Sequence, residues 1–362
     1  MGRKLLILAA LIVGLATADG YAGQKKYTIG LLNPYIGNSW RAQYLERAED
    51  AERIYREKGR LEQFIVATCN NDVSQQLNQM NNMINQGVDC ILLDPSSVTA
   101  LGTGIQRAVD EGILVIIASA PAAYDNTVNY THDNLEFASV NCSWLVEKLG
   151  GKGNIVEITG LVGNPADQAR IEIHEEILSG AQIKVLASAP ANWSPTEAQT
   201  VMAQFLSTYN NIDGILQQDV TAPGVLRAYE TAGKEPAPMV GDATFGFLRE
   251  WQKKGLDSVA YPMHPGIIVE ILGFAIMMLD GKELDPQYLQ PNLFDEELVN
   301  MIPAEPPYIV TTTAQPDAPW MKNKRFTKAI GVDEAVAMGE GKSNEAMVDG
   351  WLDDEQIATF FK

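Results

Sequence analysis

The sequence predicts an α/β fold with parallel sheets, built twice over. Three observations carry this expectation. Short apolar runs alternate with helical patterns from residue 27 to about 280, and strands separated by helices form parallel sheets with right-handed crossovers. Glycines such as Gly87, Gly112 and Gly150-Gly151 stand where the helical patterns stop, the position that favours a left-handed residue. The pattern then begins afresh after a break near 119–133 rich in Ala, Pro and Asn, so two similar lobes are expected.

In order, 27–32 reads as a strand and 40–58 as a helix whose buried face carries Leu45, Ala48, Ile54 and Tyr55. A strand at 64–69 leads to a helix at 74–86 with Leu77, Met80 and Ile84 inward. Strand 90–93, helix 100–111 and strand 114–118 complete the first run. The second run comprises helix 135–149, strand 154–159, helix 166–179, strand 183–189, helix 195–209, strand 212–217, helix 222–232, strand 237–241 and helix 245–254. A short strand at 259–261 and a strongly apolar helix at 265–280 follow. Residues 282–362 are less regular, because Pro286, Pro291, Pro303, Pro306, Pro307, Pro316 and Pro319 forbid long helices. A strand at 308–313 and short helices at 333–339 and 353–361 are expected there.

The 362 residues suffice for two ordinary domains. A net charge of −19 without any Lys/Arg run argues against a nucleic-acid partner, because binding polyphosphate needs a concentrated basic face. Residues 1–22 read as a signal peptide: Arg3 and Lys4 precede an apolar stretch over 5–16 that is too short to span a bilayer. Ala22 is the favoured cleavage position and Ala18 the alternative. No Cys follows that stretch, which argues against a lipid anchor. Cys69, Cys90 and Cys142 read as buried thiols, with a Cys69–Cys90 disulfide allowed in an oxidising compartment.

Catalytic signals are poor. Gly341-Lys342-Ser343 ends like a phosphate-binding loop, but its first glycine would have to be Val336. Gly102-Thr103-Gly104 lacks the third glycine, at Arg107. His132, His174 and His264 have no partner at metal-site spacing. No cofactor, metal or enzymatic activity is therefore expected.

The informative segment is 29–41. An apolar strand runs into a turn rich in Gly, Asn and Pro, and a helix opens at Ser39 with Trp40 and Arg41 in its first turn. An amide, a flat ring and a fixed charge thus meet at the carboxyl edge of a parallel sheet, where open α/β sheets bind small molecules.

Several stretches, in this order, resemble the periplasmic sugar-binding proteins of ABC importers, of the ribose- and galactose-binding type. They are Gly37-Asn38-Ser39-Trp40-Arg41, Gly87-Val88-Asp89-Cys90-Ile91-Leu92-Leu93-Asp94-Pro95, Glu111-Gly112-Ile113-Leu114-Val115, Thr131-His132-Asp133-Asn134, the run from Val185 to Trp193, and Ala228-Tyr229-Glu230-Thr231-Ala232-Gly233-Lys234. The resemblance covers roughly 27–280. It implies two Rossmann-like lobes joined by a three-crossing hinge: 27–131 plus 263–302 in the first, and 132–262 plus part of 303–362 in the second. DNA-binding repressors share this core, but their helix-turn-helix head is absent.

The resemblance also implies a ligand site between the lobes. Asn38 matches a ligand-binding amide, though it suits the helix N-cap equally. Trp40 and Trp193 match aromatics that stack on the C–H face of a sugar. Arg41 stands where a second aromatic is usual and offers several donors instead. Ser119 and Ala120 occupy the place of the family's Asp-Arg pair, the largest departure; Asn33, Tyr35 or Arg41 would have to compensate. Gln168 aligns with a ligand-binding Arg, Arg170 with a recurrent one, and Asp167 suits ligand or helix start. Asp219 and Asp242 are carboxylates at strand ends. Met263 and His264 lie at the last crossing, where a Gln is expected. The reading is an exported, periplasmic, monomeric protein that captures a sugar or polyol for ABC permease subunits. A chemoreceptor or sensor-kinase partner, or a non-sugar solute, is the alternative; a hydrolase with Asp219 and Asp242 as paired carboxylates lacks an acid/base constellation.

Overall fold

The computed structural model describes residues 25–322 and 324–362; the expected signal peptide lies outside them. The first run is β1 (Tyr27–Asn33), α1 (Ser39–Glu57), β2 (Leu61–Thr68), α2 (Val73–Gln86), β3 (Cys90–Leu93), α3 (Gly102–Asp110), β4 (Leu114–Ser119) and β5 (Val128–His132). The second is α4 (Asn134–Lys148), β6 (Lys152–Thr159), α5 (Pro165–Ser179), β7 (Gln182–Pro190), α6 (Pro195–Thr208), β8 (Gly214–Gln217), α7 (Ala222–Ala232), α8 (Phe245–Lys254), β9 (Val259–Ala260) and α9 (Ile267–Leu279). The remainder is β10 (Gln290–Asn292), β11 (Asp295–Ala304), β12 (Tyr308–Thr311), β13 (Lys328–Gly331), α10 (Val332–Met338) and α11 (Asp354–Ala358).

The first lobe is a seven-stranded sheet in the order β10-β11-β5-β4-β3-β1-β2, parallel except for β10. Every residue of β3 is buried, as the run Cys-Ile-Leu-Leu requires of a strand covered on both faces. Helices α1 and α9 pack together on this sheet, with α2 and α3 also against it. The second lobe holds the parallel sheet β7-β6-β8 and a small sheet β13-β12-β9. Helix α2 ends at Gly87, whose φ of +69° is the left-handed cap read from the sequence. Cys69, Cys90 and Cys142 are buried free thiols.

Three expectations are corrected. The break at 119–133 contains β5, fully buried in the first sheet. Its polar residues hid it: Asn129 Oδ1 accepts from the Ala122 N–H at 3.0 Å, and Asn300 Nδ2 donates to the Thr127 carbonyl at 3.1 Å. The strand expected at 237–241 shrinks to a single bridge between Met239 and Ile215. The proline-rich tail is more regular than expected, since β10 and β11 close one edge of the first sheet. Pro303 lies beyond Met301, the last β11 residue paired with β10, where a strand tolerates proline.

The chain passes between the lobes at 132–134, 260–267 and 304–308. A fourth passage comes near the C-terminus. Val348 N–H donates to the Ala243 carbonyl in the second lobe at 2.8 Å, while Asp349 and Asp354 bond to Gly266 and Tyr55 beside and within the first. Three of the four passages reach, from within or beside them, one buried carboxylate on α9, Glu270. It accepts from Tyr130 OH (2.5 Å), His264 Nε2 (3.1 Å) and the Leu352 N–H (3.0 Å).

Removing that acceptor strands three buried donors, each costing about 1–3 kcal/mol. We expect Glu270→Ala to destabilise the protein by about 3 kcal/mol or more in urea unfolding. A loss below about 1 kcal/mol would show that the passages do not depend on Glu270.

Candidate ligand-binding site

A cleft lies between the lobes, walled by polar and aromatic side chains and partly open to solvent, the kind of concave place where small molecules bind. Tyr35, Asn38, Trp40, Arg41, Ser119 and His132 line it from the first lobe; Asn134, Asn164, Arg170, Trp193 and Asp219 line it from the second. Met263 enters from the second passage.

The β1–α1 turn builds the first wall. Asn38 caps α1, its Oδ1 accepting from the Arg41 N–H at 2.8 Å. Its Nδ2 donates to Tyr35 OH at 3.4 Å, so one side chain serves both cap and cleft. Trp40 stacks on Tyr44 with ring centroids 5.2 Å apart and planes 18° from parallel, and its indole N–H donates to the Met263 carbonyl. Arg41 is buried, pairs with Asp94 just after β3, and lies 4.8 Å from the Trp40 ring centroid. Burial pushes the Asp94 carboxyl up, while Arg41 and the Ser119 hydroxyl hold it back. His132 Nε2 donates to the His264 carbonyl at 3.1 Å. Burial and the neighbouring His264 keep that ring well below the usual histidine range, hence neutral.

The second wall centres on Arg170. Its Nε donates to Asn134 Oδ1 at 2.9 Å and its Nη1 to Gln218 Oε1 at 3.2 Å, and it pairs with Asp219. The guanidinium sits 4.2 Å from the Phe137 ring centroid. Trp193 donates from Nε1 to the same Gln218 oxygen at 3.2 Å. Its ring fills the space above Gly160, where a Cβ would come within 2.2 Å. Ser119, Trp193 and Asp219 all have left-handed backbones, with φ of +66°, +50° and +41°. Such strain in non-glycine residues is typical of ligand sites.

The cleft thus brings together eight of the expected residues: Asn38, Trp40, Arg41, Ser119, Arg170, Trp193, Asp219 and Met263. Three others lie off its lining. Gln168 is exposed and bonds to Glu172 at 3.1 Å, because helical phase turns it away when Arg170 faces in. Asp167 is buried and braces the wall, accepting from the Gly160 N–H (2.6 Å) and Gln218 Nε2 (2.9 Å). Asp242 accepts from the Thr244 N–H at 2.8 Å and the Ala222 N–H at 3.2 Å. His132, Asn134, Asn164 and the supporting Asp94 were not singled out from the sequence as binding residues. Their signal was position alone, at strand ends and helix starts facing one edge.

Chemically the cleft offers donors in Arg41, Arg170 and Asn38, an acceptor in Asp219, and two indoles. Among the described residues, no group of three His, Cys, Asp or Glu side chains could hold a metal, and no helix is long and apolar enough to cross a membrane.

The periplasmic binding protein domain profile matches residues 29–283. The chain belongs to that family. It is 32% identical over 232 residues to a xylitol-binding protein of Mycolicibacterium smegmatis, covering 62% of this chain and 66% of that relative, just under two thirds of its length. It is 25% identical over 241 residues to the ribose import binding protein of Escherichia coli, covering 66% and 79%. An ABC transporter solute-binding protein from Thermobispora bispora shares the fold, with a TM-score of 0.70, 22% identity, and coverage of 90% of this chain and 99% of that one. One from Bacillus halodurans, solved with bound myo-inositol, gives 0.66, 22%, 88% and 99%. The two lobes and their parallel sheets are those of the type I fold of this family, a family of solute-binding proteins.

Burial, with Asp219 nearby, pushes the Asp242 carboxyl from 3.8 up to about 7. The folded state then keeps a proton that the unfolded chain releases, so this group's contribution to stability falls as pH rises from about 4 to 7. We expect Asp242→Asn to flatten that decline, read as urea midpoints across this range. Identical pH slopes for wild type and variant would contradict the shift.

Proposed function

We propose that this protein captures a small neutral sugar or sugar alcohol between its lobes and delivers it to the permease of an ABC importer, without chemical change. One observation carries the reading: each lobe presents a buried arginine, already paired with an aspartate, beside an indole ring. Paired arginines add no net charge, so the cleft suits hydroxyls rather than a carboxylate or phosphate. The indoles suit the C–H face of a carbon chain or ring. The named ligands of the relatives, xylitol and ribose, are polyhydroxylated and uncharged.

Ligand contacts with both lobes favour the closed form by differential affinity, and bending at the passages exchanges open and closed forms. The protein acts as an exported monomer in the periplasm, with residues 1–22 as its leader. The basic start and short apolar stretch of that segment support this.

A thermal-shift screen of residues 23–362 against xylitol, D-ribose, D-allose, myo-inositol, amino acids and nucleosides tests the class. A ligand at 100 times its Kd stabilises by about 2.7 kcal/mol, so a rise of several degrees with a sugar or polyol is expected. A rise only with an amino acid or nucleoside would refute the reading. For the ligand found, Trp193→Ala is expected to weaken binding at least tenfold by titration calorimetry. Undiminished affinity would remove Trp193 from the site.

A further inference from the structure

The two lobes carry the same device at the same place in their repeats. In the first, Arg41 stands in the first turn of the helix after β1, and Asp94 directly follows β3. In the second, Arg170 stands in the second turn of the helix after β6, and Asp219 follows β8. Both pairings arise from strand order: β1 lies beside β3, and β6 beside β8, so the helix after the first strand overhangs the end of the third. Asp94 was not among the residues expected at the site, and it does not line the cleft.

The first pair is buried more deeply than the second. Asp94 is 1% exposed and Arg41 5%. Arg41 reaches the cleft all the same, with its guanidinium 4.8 Å from the Trp40 ring centroid and 5.1 Å from those of Tyr35 and Tyr44. Three rings and a carboxylate leave that planar group one orientation. Arg41 Nε is buried with no hydrogen-bond partner among the described residues. A buried ion pair with a donor left over is a poor stabilising device, and its placement at a cleft points to a ligand.

We propose that Asp94 is a positioning residue that fixes the Arg41 guanidinium as a hydrogen-bond donor to one ligand hydroxyl oxygen. This rests on the sugar-binding reading above. It adds a polarity to the site. Because Asp94 is sunk beneath the cleft, its carboxylate does not accept from the hydroxyl that Arg41 holds. Because Asp219 lines the cleft, a hydroxyl against the second lobe can both accept from Arg170 and donate to the carboxylate.

The test uses the mature protein, its Asp94→Asn and Arg41→Met variants and the double variant, which removes both charges together. In ¹⁵N spectra of arginine-labelled protein, the wild-type Arg41 guanidinium should show slowed rotation, identified by its loss in Arg41→Met. That slowing should vanish in Asp94→Asn. Calorimetry with the best-binding sugar or polyol should show Asp94→Asn and Arg41→Met each weaker by about 10- to 100-fold, as for loss of a charge-assisted hydrogen bond. Adding Asp94→Asn to Arg41→Met should cost nothing further. Among monodeoxy derivatives of that ligand, one should lose affinity in wild type and lose none in Arg41→Met.

Three outcomes overturn the proposal. Affinity within twofold of wild type in Asp94→Asn means that Asp94 does not act on the ligand. Equal losses for all deoxy derivatives in Arg41→Met mean that the pair is structural. Wild-type protein that binds no sugar or polyol overturns this proposal together with the function it rests on, whereas tight wild-type binding with unaffected variants overturns this proposal alone.

Discussion

Glu270 lies inside an otherwise apolar helix, and hydrogen bonds from both lobes' connections converge on it. A buried carboxylate is tolerable only when its lone pairs are taken up. Here they are taken by a strand of the first lobe, the second passage and the C-terminal tail. The residues lining the cleft hang from the same framework. His264, bonded to Glu270, offers its carbonyl to His132; the adjacent Met263 carbonyl fixes the Trp40 indole. The floor of the cleft and the joint between lobes are therefore one hydrogen-bonded unit.

Much of this was legible in the sequence where one physical rule dominated. The all-apolar run 90–93 has no other use than a strand covered on both faces, and its bounds are those of β3. Gly87 marked the end of α2 because a left-handed cap favours glycine. The rule failed where tertiary partners replaced local pattern. Val128–His132 looks like loop because three of its five residues are polar, yet asparagines from the sheet and from β11 satisfy the backbone around it. The tail read poorly, because β11 pairs with β5, more than a hundred residues earlier.

The site shows the same division. Asn38, Trp40 and Trp193 announced themselves as ring and amide at a strand end. The choice between Gln168 and Arg170 turned on helical phase, and two residues are nearly opposite on a helix. Asp94 was invisible because its role depends on α1 lying over β3, a fact of strand order rather than of local sequence. The chain carries a net charge of −19, yet the two arginines of the cleft are each matched by an aspartate, Arg41 by Asp94 and Arg170 by Asp219.

The fourth passage has a mechanical meaning. Connections that run side by side across a joint act as springs in parallel, and their stiffnesses add. All four are covalent stretches of chain, and the fourth is in addition gripped by both lobes: Gln43 on α1 accepts from the Met347 N–H at 2.9 Å, while the flanking Ala346 and Val348 bond to the second lobe. The C-terminal tail therefore stiffens the joint as well as closing the fold.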